Sequence, residues 1–260
     1  MTVPSSFFQH IPLEIAPSPF SSHELGSVID WNPPMIPNHY TNPDLIPPRN
    51  PQYRMTYVWD LDRTLVNADT VPGYKEDDDN APPVIRPYSR EVLRLLQSPD
   101  VEFIIWTAGI YAHAYRVMRD FPDIRFDYII SRSEFSYPRK DIRRLRRPMN
   151  SIILIDDRGE VSDVNPGHVL ITTPFEPLEP GGIQDTAMIF IGNILARASI
   201  MFRCYHDAGF SNISLSSLID SPLVRRVWIR SQEYREVDIF TSQDELDRKI
   251  IDYNRRYLIV

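Results

Sequence analysis

Two carboxylates one residue apart, Asp60 and Asp62, close the apolar run Tyr57-Val58-Trp59 and are followed by a hydroxyl, Thr64. In an extended strand side chains at i and i+2 share a face, so both would point the same way. Burying two unpaired like charges together costs on the order of several kcal/mol. A cation, most simply Mg²⁺, should therefore sit against them. A calcium-binding loop does not account for the pattern: its sixth and twelfth positions require Gly and Glu, and here they hold Leu65 and Val71.

Other polar groups fall where apolar runs stop. Thr107 follows Val101–Trp106, and Asp156-Asp157 follow Ser151–Ile155. Such a set suits a phosphomonoester. A carboxylate at Asp60 could attack phosphorus and form an aspartyl-phosphate, dividing one hard displacement into two. Asp62 could protonate the leaving oxygen and then activate water for the second step. A Mg²⁺ ion, held with help from Asp156 and Asp157, would offset the repulsion between the attacking carboxylate and the phosphate. Thr107 could donate its hydroxyl to a phosphate oxygen, and Lys140 could neutralise charge on the phosphate and the carboxylates.

These residues need elements to hold them, and the pattern supplies alternating strands and helices. Strands are expected over Met55–Leu61, Val101–Trp106, Phe126–Ile130, Ser151–Ile155 and Val169–Thr172. Helices are expected over Tyr88–Gln97 and Tyr111–Phe121, from Lys140 to Arg147, and through the apolar stretch Ala187–Phe202. That order implies βαβ units, hence an α/β domain with a parallel sheet covered by helices. Ligands of such sheets bind beyond the carboxyl ends of the strands, where Asp60, Asp62, Thr107 and Asp156 are expected.

Residues 1–50 hold ten of the 24 prolines and should form a Pro-rich arm with little regular structure, part of it packed on the body through Phe7, Phe8, Ile11, Leu13, Ile15, Phe20 and Trp31. A partner-binding tail is the competing reading. The core is assigned to residues 51–204, and residues 205–260 to a mainly helical extension packed on it, with helices near Ser221–Arg230 and Asp244–Arg256.

A net charge of −7 argues against a general nucleic-acid binder. The basic run Arg139–Arg147 reads either as an exposed helix face anchored by Ile142 and Leu145 or as a patch for an acidic or phosphorylated partner. Glu76–Asp79 reads as a solvated loop. Cys204 is the only cysteine, so no internal disulfide forms; beside His206 it completes no zinc pattern and reads as an ordinary buried thiol. The six histidines fall in no ligand spacing and are assigned no role. No glycine-rich phosphate loop is present, which argues against a kinase. No signal peptide is evident, and Ala187–Phe202, interrupted by Asn193 and Arg197, reads as a core helix rather than a membrane span. The expectation is an intracellular protein, of the nucleus or the cytoplasm.

The segment Asp60-Leu61-Asp62-Arg63-Thr64-Leu65-Val66, with Trp106-Thr107-Ala108, Lys140-Asp141 and Asp156-Asp157, resembles the four ordered motifs of the haloacid dehalogenase superfamily. With Arg86-Pro87 it resembles more narrowly the phosphatases of the RNA polymerase II C-terminal domain, the NLI-interacting-factor type, over roughly residues 51–200. The resemblance implies a Rossmann-like fold without a large cap, a Mg²⁺-dependent phosphatase of phosphoserine or phosphothreonine, and a phosphorylated protein or peptide as partner, the polymerase tail being one candidate. No membrane or direct nucleic-acid partner is expected.

It implies Asp60 as nucleophile and Asp62 as acid and base, with Thr107 and Lys140 on the phosphate. The metal would be bound by the Asp60 carboxylate, the Asp62 backbone carbonyl and Asp157, with Asp156 nearby, and Thr64, Arg63 and Arg86 would serve the substrate. Two positions depart from the family: Arg63 stands where Glu is usual and Gly109 where Ser is usual. Two other readings stay open. One is a catalytically weak binding module on this fold, like the family's mitochondrial inner-membrane import receptor, although the intact Asp60/Asp62 pair speaks against it. The other is a phosphatase of nucleic-acid ends or small molecules.

Overall fold

The computed structural model describes residues 37–68, 83–132, 139–178 and 185–220. The far N-terminal apolar residues, the Glu76–Asp79 loop and the two expected C-terminal helices lie outside these. Six parallel strands form one sheet: β1 (Asn38–Tyr40), β2 (Met55–Trp59), β5 (Val101–Trp106), β6 (Tyr128–Ile130), β7 (Ile152–Asp156) and β8 (Val169–Ile171), in the spatial order β1-β6-β5-β2-β7-β8. A two-stranded antiparallel hairpin, β3 (Val66–Asn67) with β4 (Val84–Ile85), stands apart from it.

β2 is central, pairing Trp59 with Ile105 of β5 on one side and with Ile155 of β7 on the other. The chain runs outward from β2 through β5 to β6, then crosses back to β7. The strand order therefore reverses around β2, where such sheets bind ligands.

β2, β5 and β7 are buried at every position, which is why they read as nearly continuous apolar runs rather than alternating ones, broken inside only by Thr56 and Glu102. Alternate residues feed two cores. Tyr57, Trp59, Phe103, Ile105, Ile153 and Ile155 pack on one face with α1 (Ser89–Leu96) and α4 (Ala187–Asp207). Val58, Ile104, Trp106, Ile152 and Leu154 pack on the other with Ile142, Leu145 and Val161. On α4 the buried residues Met188, Ile191, Leu195, Ala198, Phe202 and Tyr205 recur at helical spacing and form one stripe. Gly192 lies beside that stripe. A Cβ there would stand 3.0 Å from both methyls of Val92, so the absence of a side chain sets how closely α4 approaches α1.

α4 is long and apolar enough to cross a membrane by length and composition, with a mean hydropathy of 1.4 over its best window. Of that window 56% is buried within the domain, in keeping with a core helix. α2 (Tyr111–Met118), α3 (Val161–Val164) and α5 (Leu215–Ile219) complete the set, and no large cap domain is present among the described residues.

Three expectations need correction. The segment from Lys140 to Arg147 is a single 3-10 turn, Ile142–Leu145, capped by the Asp141 side chain. It stops because Arg146 turns left-handed (φ 53°) ahead of Pro148, so no helix can propagate. The Pro-rich arm is not wholly irregular, since Asn38–Tyr40 enters the sheet as an edge strand on β6. Cys204 is exposed, because it lies off the buried stripe of α4.

Three ion pairs clarify the basic run. Arg147 is fully buried with Glu102 in a bidentate pair of 2.7 and 2.9 Å. Arg144 reaches Asp44 at 2.7 Å, while Arg143 folds back on Asp141 at 2.7 Å. Much of the run's charge is thus matched within the chain.

Candidate active site

Asp60 lies just past the end of β2, its backbone N–H donating to the Ile155 carbonyl of β7 at 2.9 Å. The pairing of β2 with β7 therefore sets where the carboxylate projects. It is buried, 4% exposed, and its surroundings account for both oxygens. The ammonium of Lys140 contacts Oδ1, and the Thr64 hydroxyl donates to Oδ2 at 3.1 Å. The same ammonium reaches Asp156 Oδ2 at 2.7 Å. Asp156 also accepts from the backbone N–H of Arg158 at 2.9 Å.

Three carboxylates, Asp60, Asp156 and Asp157, offer oxygens that all lie within 4.8 Å of one another. Burial pushes the Asp60 carboxyl up to about 7, and the charges of Asp156 and Asp62 push the same way, while Lys140 opposes them. Asp157 is raised for the same reasons, burial first and Asp156 second, with Arg63 working against the shift. A hard, oxygen-lined pocket with more negative than positive charge fits a divalent cation of the Mg²⁺ type. Asp60 and Asp157 are the side chains that would hold it, with Asp156 adjoining. The Asp62 carboxylate points elsewhere, so any share it has in the metal falls to its backbone carbonyl.

Asp62 sits two residues beyond Asp60 in a tight loop. Arg63 takes a left-handed conformation there (φ 59°), with its N–H on the Val66 carbonyl and its own carbonyl accepting from Phe175 at 2.7 Å. The Asp62 side chain remains 36% exposed. Thr107, directly after β5, donates its hydroxyl to Asp62 Oδ2 at 3.0 Å and accepts the Gly109 backbone N–H at 2.9 Å. It does not cap α2, whose N-cap is Ile110. On the other carboxylate oxygen, His113 Nε2 lies 2.6 Å from Asp62 Oδ1.

The strand ends thus bring together Asp60, Asp62, Thr107, Lys140, Asp156 and Asp157. Three residues expected to touch substrate are placed otherwise. Arg86 is fully enclosed: its guanidinium forms a bidentate pair with Asp185 at 2.8 and 3.1 Å and donates to the carbonyls of Thr64 and Thr173. It ties the loop after Asp60 to the segment preceding α4 and has no surface to offer a ligand. Thr64 is buried and spends its hydroxyl on Asp60, so it positions the carboxylate. Arg63 is half-exposed and paired with Glu176, and its charge acts on Asp157.

His113 was missed altogether. Nothing in its local spacing marks it, because its partner stands 51 residues earlier in the chain. The available signal was its place on the first turn of the helix that follows Trp106-Thr107-Ala108.

Comparison with solved structures finds a chain of the Pnkp1/Rnl/Hen1 RNA repair complex, 17% identical, matched over 49% of this chain and 45% of that one with a TM-score of 0.37. A chain of a second structure of the Pnkp1/Rnl/Hen1 complex matches at 17% identity over 49% and 48%, with a TM-score of 0.36. This chain spans less than half the length of either, and likenesses this slight carry no argument about activity. No curated protein matches the chain. The model of the NLI interacting factor-like phosphatases, by contrast, matches residues 55–204, from the first residue of β2 to near the end of α4. That span is more than half of the chain and contains every residue of the cluster around Asp60. The protein therefore belongs to the NLI interacting factor-like phosphatase family, on an α/β fold of the haloacid dehalogenase type.

Proposed function

We propose that this protein is a Mg²⁺-dependent phosphatase of phosphoserine or phosphothreonine in proteins, working through an aspartyl-phosphate on Asp60. The observation that carries the reading is the division of labour between two carboxylates. Asp60 is buried against one cation and one hydroxyl, while Asp62, two residues on, is partly open to solvent and held by other groups. A nucleophile needs the first environment and an acid–base group the second.

Asp60 attacks phosphorus in line with the leaving oxygen. Thr64 and Lys140 hold its carboxylate, and Lys140 also balances the charge of Asp156. Asp62 gives a proton to the leaving oxygen as the ester bond breaks. It then takes one from the water that attacks the phosphorylated Asp60. Thr107, already between Asp62 and the loop to α2, turns its hydroxyl to a phosphate oxygen. A Mg²⁺ ion, when bound, supplies the positive charge that lets two anions meet. Two features support a macromolecular substrate: the family to which the chain belongs, and strand ends over which no large cap is inserted among the described residues.

The test is hydrolysis of an aryl phosphate with and without Mg²⁺, beside Asp60→Asn, followed by phosphopeptides set against 5′- and 3′-phosphorylated oligonucleotides and small phosphate esters. Mg²⁺-dependent turnover that disappears in the variant, and kcat/KM highest for phosphopeptides, is the expected result. A folded, Mg²⁺-loaded wild type without turnover would overturn the enzymatic reading. Preference for oligonucleotide ends or small esters would overturn the assigned substrate class.

A further inference from the structure

The two oxygens of Asp62 are held by different residues. Oδ2 accepts from Thr107 at 3.0 Å, and Oδ1 lies 2.6 Å from Nε2 of His113. His113 is buried, whereas the Asp62 side chain is 36% exposed. Oδ1 accepts whether the group is a carboxylate or a carboxyl protonated on Oδ2, so in both states Nε2 carries the hydrogen. The contact also depends on an empty space. A Cβ on Gly109 would stand 3.0 Å from Cδ2 of the His113 ring and 3.2 Å from the Thr107 hydroxyl. The missing side chain at 109 is what lets the imidazole lie against Asp62.

Resting on the phosphatase reading, we propose that His113 is a positioning residue for the acid–base step, and that Gly109 is the space that admits it. His113 anchors Oδ1 and fixes the plane of the carboxyl group. Oδ2, on the Thr107 side, is then the atom that carries the proton. When a phosphate ester is bound, the Thr107 hydroxyl turns to a phosphate oxygen and releases Oδ2. The proton on Oδ2 passes to the leaving oxygen as the P–O bond breaks, and Asp62 is left as a carboxylate. In the second step the same oxygen takes a proton from the attacking water. His113 neither gains nor loses a proton in this cycle.

The role predicts dependence on the leaving group. Phenyl phosphate needs its leaving oxygen protonated, whereas 2,4-dinitrophenyl phosphate, of similar shape, hardly does. The Mg²⁺-loaded full chain is assayed on both, and kcat/KM reports the step that cleaves the ester. In His113→Ala the ratio of phenyl to dinitrophenyl kcat/KM should fall by about tenfold or more, within the roughly hundredfold or greater contribution typical of general acid catalysis. His113→Gln, which keeps an N–H near the place of Nε2, should recover part of that ratio. Gly109→Ala, which retains the histidine but crowds its ring, should lower the ratio in the same direction. The double variant Asp62→Asn/His113→Ala should be no slower on phenyl phosphate than Asp62→Asn alone, because His113 acts through Asp62.

Equal losses on both esters in His113→Ala and Gly109→Ala, or additive losses in the double variant, would overturn the inference while leaving the phosphatase reading intact. A wild type that turns over neither ester would overturn that reading and this inference with it.

Discussion

At the scale of single residues Asp60, the nucleophile of the proposed reaction, is held in a state that costs stability. Asp60 and Asp156 share one ammonium in a buried site, and burial lifts the Asp60 carboxyl from the ordinary value of 3.8 to about 7. A group whose pKa is higher folded than unfolded adds stability at low pH and loses it as pH rises through the folded value. In divalent-free buffer the wild type should therefore gain stability as pH falls from about 8 towards 5. Asp60→Asn removes the surplus charge and leaves Lys140 to Asp156. It should be catalytically dead yet more stable than wild type at pH 8 by roughly 1–3 kcal/mol, with the gain shrinking below pH 7. Thermal unfolding of both proteins at three pH values in a chelator tests this, and a pH-independent difference would refute it. Asp60, Asp62, Thr107, Lys140 and the Asp156-Asp157 pair were legible in the sequence because each follows an apolar run or sits in an ordered motif. Arg86 was legible as part of that motif but not in its role, since its partner Asp185 stands 99 residues on and only the fold shows a clamp rather than a ligand.

At the scale of elements, the site is only as steady as the sheet and the helices behind it. α4 shares a core with β2, to which its Ser199 hydroxyl is bonded through the Tyr57 hydroxyl, and its approach to α1 is set by Gly192 against Val92. Gly192→Leu should overpack this contact and destabilise the fold by about 2–3 kcal/mol, and Val92→Ala in that background should recover a good part of the loss. Chemical denaturation of the two single variants and the double decides it; simple additivity would mean that the two residues do not share the contact. The central strands were the easiest elements to read, because burial on both faces leaves mostly apolar residues in them, with Thr56 and Glu102 paired to each other inside. The 3-10 turn at Ile142–Leu145 was misread as a helix. Its apolar pair has helical spacing, and only the left-handed Arg146 shows that the turn ends after four residues. The edge strand β1 could not be read at all: three residues beside prolines carry no period, and their pairing with β6 is made at a distance of about ninety positions.

At the scale of the whole molecule, two features knit distant parts of the chain together. The buried Glu102–Arg147 pair joins β5 to the loop after the 3-10 turn. Thr56 of β2 donates to Glu102 at 2.8 Å, and Arg147 donates to the Pro47 carbonyl at 2.7 Å. Glu102→Gln should lose about 3–5 kcal/mol by leaving a buried guanidinium uncompensated, whereas a Met at both positions should lose far less. Equilibrium unfolding separates the two cases. The second feature is β1. It lies outside the family span of residues 55–204, yet it covers the outer edge of β6, and its His39 stacks on Tyr111 of α2 at 4.0 Å while bonding Ser131 at 2.8 Å. A fragment cut at the family boundary would bare a row of unpaired amides, the template for strand-to-strand polymerisation. It would also remove the buttress of the helix that carries His113. Light scattering should show a chain beginning at Pro51 gaining mass with concentration more steeply than one beginning at Pro37. For anyone expressing this protein in pieces, the segment that matches the family stops short of an edge strand of its sheet, and the place to cut lies upstream of it.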